Sequence, residues 1–224
     1  MKVSVIIPTY RESEKLPALI DQLLPMMSQG HEVIVVNGDP LDTSVEKLEA
    51  AGVRVMNSDK GRAKQMNAGA ELAQYECLWF LHADSQFTAS LSDYLDALVP
   101  LEVNQWGRFD IQLDGHQRVF RIIAFMINLR SSLSGIATGD QGIFVHKTLF
   151  ERVGGFAGIP IMEDVDICKK MKKIKRPNVI KLTLMTSARR WQSKGILSTV
   201  FLMWKLRLYY YLGVDPAKLS KLYS

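Results

Sequence analysis

The stretch VSVIIPTYRE (residues 3–12) decides how this chain is read. VSVII is a short run rich in β-branched side chains, the pattern of a strand buried on both faces. It stops at Pro8, and Thr9, Tyr10, Arg11 and Glu12 follow as a polar strand end. The pattern then repeats. EVIVV (32–36) is followed by Asn37-Gly38-Asp39-Pro40-Leu41-Asp42, VRVM (53–56) is a third strand, and CLWFLH (77–82) runs into Ala83-Asp84. Between these strands lie SEKLPALIDQLLPMM (13–27), opening on a Ser cap, TSVEKLEAAG (43–52), stopping at Gly52, and GRAKQMNAGAELAQ (61–74). Helical segments alternating with strands predict right-handed βαβ units and an α/β fold, a mostly parallel sheet flanked by helices. Ligands of such sheets bind at the carboxyl ends of the strands, so the polar groups at three strand ends are expected to converge on one crevice.

The second half is less regular. SLSDYLDALVP (90–100) reads as a helix, WGRFDIQL, ending at Leu113, as a strand, and VFRIIAFMINLRSSL (119–133) as a strongly apolar helix. GIFVH (142–146) is a strand and residues 162–173 are helical. GILSTVFLMWKLRLYYYLG (195–213) is rich in Leu, Trp and Tyr but carries Lys205 and Arg207 at its middle, which suits an interfacial amphipathic helix better than a membrane span. Its apolar face has a second reading, packing on the domain's own core or on another subunit. The expected division is a catalytic domain over 1–190 and a C-terminal helical extension over 191–224.

With 47% hydrophobic residues, the 224-residue chain holds enough apolar material for one sizeable core. Cys77 and Cys168 lack metal-ligand spacing and read as buried thiols of a reducing compartment. Val3 to Ile7 is too short for a signal peptide or a span, so the expectation is a cytoplasmic protein, peripheral on the inner membrane face if the C-terminal segment docks. The net charge of +5 is segregated: from Ile167 onward there are 14 Lys and Arg and one acid, Asp215, leaving 14 cations against 22 acids in the first 166 residues. That asymmetry points to an anionic partner for the C-terminal quarter. Acidic lipid is favoured, because no nucleic-acid module or basic patch with stacking aromatics is present.

Neither G-x-G-x-x-G after the first strand nor G-x-x-x-x-G-K-[ST] anywhere occurs. A nucleotide's phosphates would then need another counter-charge, and a divalent cation on a carboxylate is the simplest one. VSVIIPTYRE, VIVVNGD, GRAKQMNAGA, FLHADS, GDQGIFV (139–145), IMEDVDI and TSARRW (186–191), in this order, resemble glycosyltransferase family 2 with its GT-A fold, and its bacterial arsenosugar-biosynthesis-type branch in particular. The resemblance runs from Lys2 to Tyr223. It implies that Pro8, Thr9, Tyr10 and Glu12 hold the base and ribose of the donor, with Asn37 where the family usually has a base-binding Asp. Arg62 and His82 would lie on the donor side, near its phosphates. Asp84 would be the retained ligand of Mn2+ or Mg2+, with His82-Ala83-Asp84 in place of D-x-D. Asp164 would be the catalytic base. Asp140, Gln141, Glu163, Arg189, Arg190 and Trp191 would serve the acceptor or the diphosphate.

The implied reaction moves a sugar from a nucleoside-diphosphate donor, UDP-sugar favoured, to a hydroxyl acceptor that can be lipid-linked, with inversion at the anomeric carbon. Such a leaving group needs its developing charge neutralised, which Asp84 with a cation and Arg62 or Arg189 would supply. Asp164 would take the acceptor proton. Plain roles remain open for several of these groups: a turn for Asn37-Gly38, a helix cap for Asp84, a satisfied strand-end histidine for His82, a solvated pair for Arg189 and Arg190. Two other functions remain open as well. Asn37 and His82 would suit a non-catalytic nucleotide-sugar-binding subunit. A nucleotidyltransferase would want a Gly- and Lys-bearing loop where PTYRE stands.

Overall fold

In a computed structural model of the chain, the residues described are 1–98, 100–115 and 117–223, without the side chain of Ser13. Val99, at the end of the expected helix 90–100, and the expected Ser cap on residue 13 therefore lie outside the described part. The first half follows the alternation of the sequence. Strand β1 (Val3–Thr9) leads through a short 3-10 turn (Ser13–Lys15) to α1 (Leu16–Ser28). β2 (Glu32–Asn37) is followed by Thr43–Ala51 and β3 (Arg54–Asn57), and α2 (Arg62–Leu72) leads to β4 (Cys77–Phe80). The segment 43–51 is a 3-10 helix where an α-helix was expected. Only Val45 along it is buried, so little apolar packing holds it in the α form. Gly52 ends it in the left-handed region at φ 82°, as a helix stop requires.

Downstream come β5 (Gln86–Phe87), α3 (Leu91–Leu98), β6 (Trp106–Leu113), α4 (Arg118–Ser134), β7 (Phe144–His146), α5 (Lys147–Arg152) and α6 (Glu163–Met171). The chain continues through β8 (Asn178–Thr186), α7 (Arg189–Lys194), α8 (Ile196–Tyr211) and α9 (Pro216–Tyr223). Among the described residues eight strands form one sheet in the order β3-β2-β1-β4-β7-β6-β8-β5. The left half, β3 to β4, is parallel throughout. β7 runs antiparallel between β4 and β6, and β8 is parallel to β6 over seven registered pairs with a bulge at Phe109/Asp110.

The sheet is packed on both faces. One face carries Val5, Ile7, Leu16, Leu23, Trp79, Tyr94 and Phe109, and the other Ile6, Ile34, Val36, Met66, Phe80, Val165 and Leu206. Successive residues of β1 therefore point to opposite clusters, which is why VSVII has no polar alternation. Helix α2 lies directly on the strands: a Cβ at Gly69 would sit 2.5 Å from Ile6 and 3.0 Å from Val36. Leu206 of α8 and Leu219 of α9 belong to the same buried cluster, so the C-terminal helices share the core of the sheet. The expected boundary at 190/191 falls inside α7.

The interfacial reading of residues 195–213 takes a particular form here. α8 is apolar on both sides, with Thr199 and Leu206 buried against the domain and Leu197, Phe201 and Trp204 exposed. No helix among the described residues is long and apolar enough to cross a membrane.

Candidate active site at the strand ends

The chain runs β1, β2, β3 outward in one direction and returns to place β4 on the other side of β1. The sheet order reverses there, between β1 and β4, and ligands of open α/β sheets bind at that point. A cleft of about 410 Å³ opens at these strand ends, lined by Lys15, Asp84, Ser85, Asp114, Thr186, Ser187 and Arg189 among others. A second recess of about 250 Å³ lies beside Asn67, Glu71 and Lys147 and is not lined by any of the strand-end residues.

The β1 and β2 ends are braced from within. Gln65 on α2 donates from one amide nitrogen to Thr9 O at 2.6 Å and Val36 O at 2.8 Å, tying the two strands together. Asn37 is 1% exposed, and its amide donates to Asp39 O, Asp42 O and Asn57 Oδ1 while accepting from Asp39 N at 3.0 Å. That amide holds the 37–42 loop in shape, so any contact to a base would fall to its one free lone pair. Thr9 is buried, and its hydroxyl has no hydrogen-bond partner among the described residues. Tyr10 is flanked by Lys60, 4.3 Å above its ring, and by Arg11, itself bonded to Asp39 at 2.9 Å. Glu12 pairs with Lys15 and approaches Arg189 to 4.0 Å. Pro8 stays inside β1, and Arg62 is exposed at the first turn of α2.

Asp84 stands in the cleft, half-buried, while His82 turns inward. The imidazole Nε2 is buried without a partner among the described residues, and burial together with Arg62 and Lys15 holds the ring well below its ordinary pKa. A Cβ on Gly139 would lie 2.6 Å from that nitrogen, so a larger residue at 139 would push the His82 ring aside. Gly139 N in turn donates to Asp164 Oδ2 at 3.0 Å, and Val165 N donates to Oδ1 at 2.7 Å. Asp164 does not line the cleft; Gly139, which bonds it, packs against the His82 ring two residues before Asp84. Met162, the residue before the Glu163-Asp164 pair, holds φ at 70°, a left-handed conformation that costs a side-chain-bearing residue energy.

Behind Asp164 lies a buried charged cluster. Burial pushes the Glu163 carboxyl up to about 7, helped by Asp164 and opposed by Arg62. Burial also raises the Asp140 carboxyl, against a hydrogen bond from Thr138 and with Asp164 adding to the rise. Asp140 Oδ1 and the Nε and Nη2 of Arg130 have no partner among the described residues. Burial, with Arg207 nearby, lowers the Arg130 guanidinium to about 10. Gln141 is fully buried and accepts from Thr138 N at 3.0 Å, which makes it a turn brace.

The three residues at 189–191 part company. Arg189 reaches the cleft, whereas Arg190 donates to Tyr223 O at 2.8 Å and stacks over the Tyr223 ring at 3.6 Å, pinning α9. Trp191 packs on the small cluster of Leu113, Phe120, Ile123 and Ala188. Sequence reasoning had no signal for Gln65, Lys15 or Arg130, whose roles come from partners far along the chain.

No three His, Cys, Asp or Glu side chains come together as a metal cage among the described residues. Asp84 alone on an open cleft still fits magnesium or manganese, which are commonly held by one or two carboxylates and completed by phosphate and water.

A sheet reversal between β1 and β4, with a carboxylate at the β4 end, defines the GT-A class of nucleotide-sugar transferase fold. The chain belongs to glycosyl transferase family 2, whose model matches residues 4–126. Among curated proteins, an undecaprenyl-phosphate 4-deoxy-4-formamido-L-arabinose transferase of Yersinia pestis is 33% identical over 96 residues, 38% of this chain. The match spans only 29% of that transferase. Among solved structures, S. aureus TarS 1-349 superposes with a TM-score of 0.64 at 19% identity, covering 84% of this chain and 61% of that one. The mannosyltransferase PcManGT from Pyrobaculum calidifontis, in complex with GDP-Man and Mn2+, gives a TM-score of 0.63 at 18% identity, covering 98% and 64%. At such identities these structures establish the fold.

Proposed function

We propose that the protein transfers a sugar from a nucleoside-diphosphate donor to an acceptor, within the arsenosugar-biosynthesis-type branch of its family, with inversion at the anomeric carbon. The observation that carries the reading is a strand-end carboxylate, Asp84, on an open cleft, with a second carboxylate, Asp164, oriented by two backbone N–H groups, one of them from Gly139, which packs against the His82 ring. The curated relative is named for a polyprenyl-phosphate acceptor, and two fold neighbours were solved with UDP-GlcNAc or with GDP-Man and Mn2+. These names support a nucleotide-sugar donor and a divalent cation for this chain, and they make a lipid-borne acceptor a natural choice.

In this reading the β1 and β2 ends receive the nucleoside beside Tyr10 and Glu12, with Gln65 and Asn37 keeping the two loops rigid. Asp84 would hold Mn2+ or Mg2+, which supplies charge neutralisation at the diphosphate. Arg189 and Arg62 add fixed positive charge on the same side, worth most where water is excluded. Asp164 stands as general base toward an acceptor hydroxyl, its two unused lone-pair directions free to take the proton. Asp140 and Arg130, each with an unpartnered polar atom, form the acceptor side.

A panel of UDP-, GDP- and dTDP-sugars tests the reading by release of free nucleoside diphosphate in the presence of Mn2+. Slow hydrolysis of one donor, well above that of the others, is the expected result. A protein that binds nucleotide yet releases none from any donor would move the assignment to a non-catalytic binding subunit.

A further inference from the structure

Helix α4 is apolar on two sides, one held by the protein and one exposed. Its N-terminal half packs Phe120, Ile123 and Ala124 on the protein, but further along the inward contacts are polar: Asn128 exchanges two hydrogen bonds with the backbone of Ile111, at 2.9 and 3.0 Å, and Ser132 accepts from the fully buried Arg108 at 2.7 Å. A second set of large apolar side chains faces away, with Ile122, Phe125, Met126 and Leu133 each at least half exposed and Leu129 at 40%. Spacings of three and four put them on one stripe. Helix α8 repeats the arrangement, its Leu197, Phe201, Trp204, Leu208 and Tyr211 each more than half exposed at the same spacings. The two stripes flank one seam. Ile196 at the start of α8 packs in the same small cluster as Phe120 and Ile123, and further on Arg207 lies within the electrostatic reach of Arg130.

Adjoining apolar stripes of this extent are rare on a surface that meets only water. Charge decides what covers them. α4, α7 and α8 contain no Asp or Glu, and with the Arg130 guanidinium buried, Arg190 on Tyr223 and Arg189 in the cleft, the exposed charges left on them are Arg118, Arg121, Lys194 and Lys205, all basic. The basic segment 169–176 is tied to the end of α4, with Lys172 donating to Ser134 O at 3.0 Å and Arg176 to Leu133 O at 3.3 Å. A second copy laid on the same face would press like charges together, which opposes association. An anionic lipid surface accepts both features, since apolar and aromatic side chains sink into the headgroup layer while Lys and Arg meet phosphate.

We propose that α4 and α8 form a single interfacial face that docks on an anionic membrane, both helices lying in its plane. At about 1.5 Å per residue each helix offers roughly 25 Å of contact. The face abuts the candidate acceptor side: Arg130 of α4 donates to Ile136 O at 3.0 Å and Asn128 Oδ1 accepts from Gln141 at 3.4 Å, beside the turn that carries Asp140. A lipid-borne acceptor would then present its head beside Asp140 and Asp164, a consequence that rests on the proposed function, whereas the docking itself does not.

Co-sedimentation of the full chain with vesicles tests this, using phosphatidylcholine alone and phosphatidylcholine with one third phosphatidylglycerol. Binding to the anionic vesicles is expected, with little to the neutral ones and a blue shift from the exposed Trp204. Phe125→Ser with Phe201→Ser should weaken partition by about tenfold or more, and Arg118→Gln or Arg121→Gln by about fivefold each. Unchanged melting and unchanged UDP stabilisation of these variants would show that fold and donor site are intact, which separates failure of docking from failure of the transfer reading. Absence of binding, equal binding to both vesicles, or binding that survives the double substitution overturns the proposal. So does a dimer in sedimentation velocity that the same double substitution dissolves, which would assign the face to a second copy.

Discussion

The two sides of the strand-end site are finished to different degrees. On the β1–β2 side the polar groups mostly serve one another: the buried Gln65 spans Thr9 O and Val36 O, the buried Asn37 holds three acceptors and one donor, and the exposed Arg11 meets Asp39. On the β7–α6 side Asp140 and Arg130 keep buried atoms without partners, Glu163 carries a carboxyl raised to about 7, and Met162 sits in a left-handed conformation. Leaving a buried donor or acceptor unpaired costs about 1–3 kcal/mol. Under the proposed function this contrast becomes a division of labour, in which the rigid shelf would take the nucleoside diphosphate and the strained, polar wall would meet its partner in the acceptor.

Asp164→Asn attacks the strained wall and should have the largest effect. The amide keeps the shape and can still accept from Gly139 N, but it cannot take a proton. Transfer should fall by roughly 10²–10⁴-fold, while UDP affinity measured by calorimetry stays within about twofold of the parent, because the nucleoside shelf is untouched. Equal losses in turnover and in UDP affinity would erase the distinction between the two sides.

Glu163→Gln sharpens the comparison through stability. The folded carboxyl titrates near 7 against an ordinary 4.5, so the folded state holds its proton more tightly than the unfolded chain does. Stability attached to this group is therefore fully present below pH 4.5 and is lost as pH rises through 7. The Gln variant escapes that loss. It should be more stable than the parent at pH 8.5 by up to about 3 kcal/mol, with the gain shrinking to nothing near pH 4.5, as read from urea midpoints across pH. A pH-independent difference would mean that Glu163 is not buried as a titrating acid.

Much of the left half could be read from the sequence because each strand there is a short apolar run with a helical segment beside it. VSVII, EVIVV and CLWFLH all form strands of the parallel half of the sheet, and of the polar residues at their ends Asp84 lines the cleft, whereas Thr9, Tyr10, Glu12, Asn37 and His82 do not. The nine-residue β8 went unread: NVIKLTLMT lies in the most basic part of the chain, and its place beside β6 depends on a pairing made across about 70 residues. The apolar character of α4 was visible, but not that one of its apolar stripes stays exposed, since only the contacts of Asn128 and Ser132 with β6 show which side is held by the protein. His82 reads in sequence as part of a metal motif, and in the fold it turns toward Gly139, away from the cleft lining. Arg190 and Trp191 look like members of one element with Arg189, yet a helix turns successive side chains by about 100°, and only Arg189 lines the cleft.

The most direct test of a cation-assisted nucleotide shelf is the thermal stability of the chain with UDP, with and without Mn2+, compared with Asp84→Asn. The account predicts that UDP with Mn2+ raises the melting temperature, that UDP with chelator raises it much less, and that Asp84→Asn removes the difference between the two. An identical UDP shift with and without metal, or a metal-dependent shift that Asp84→Asn retains in full, would contradict it.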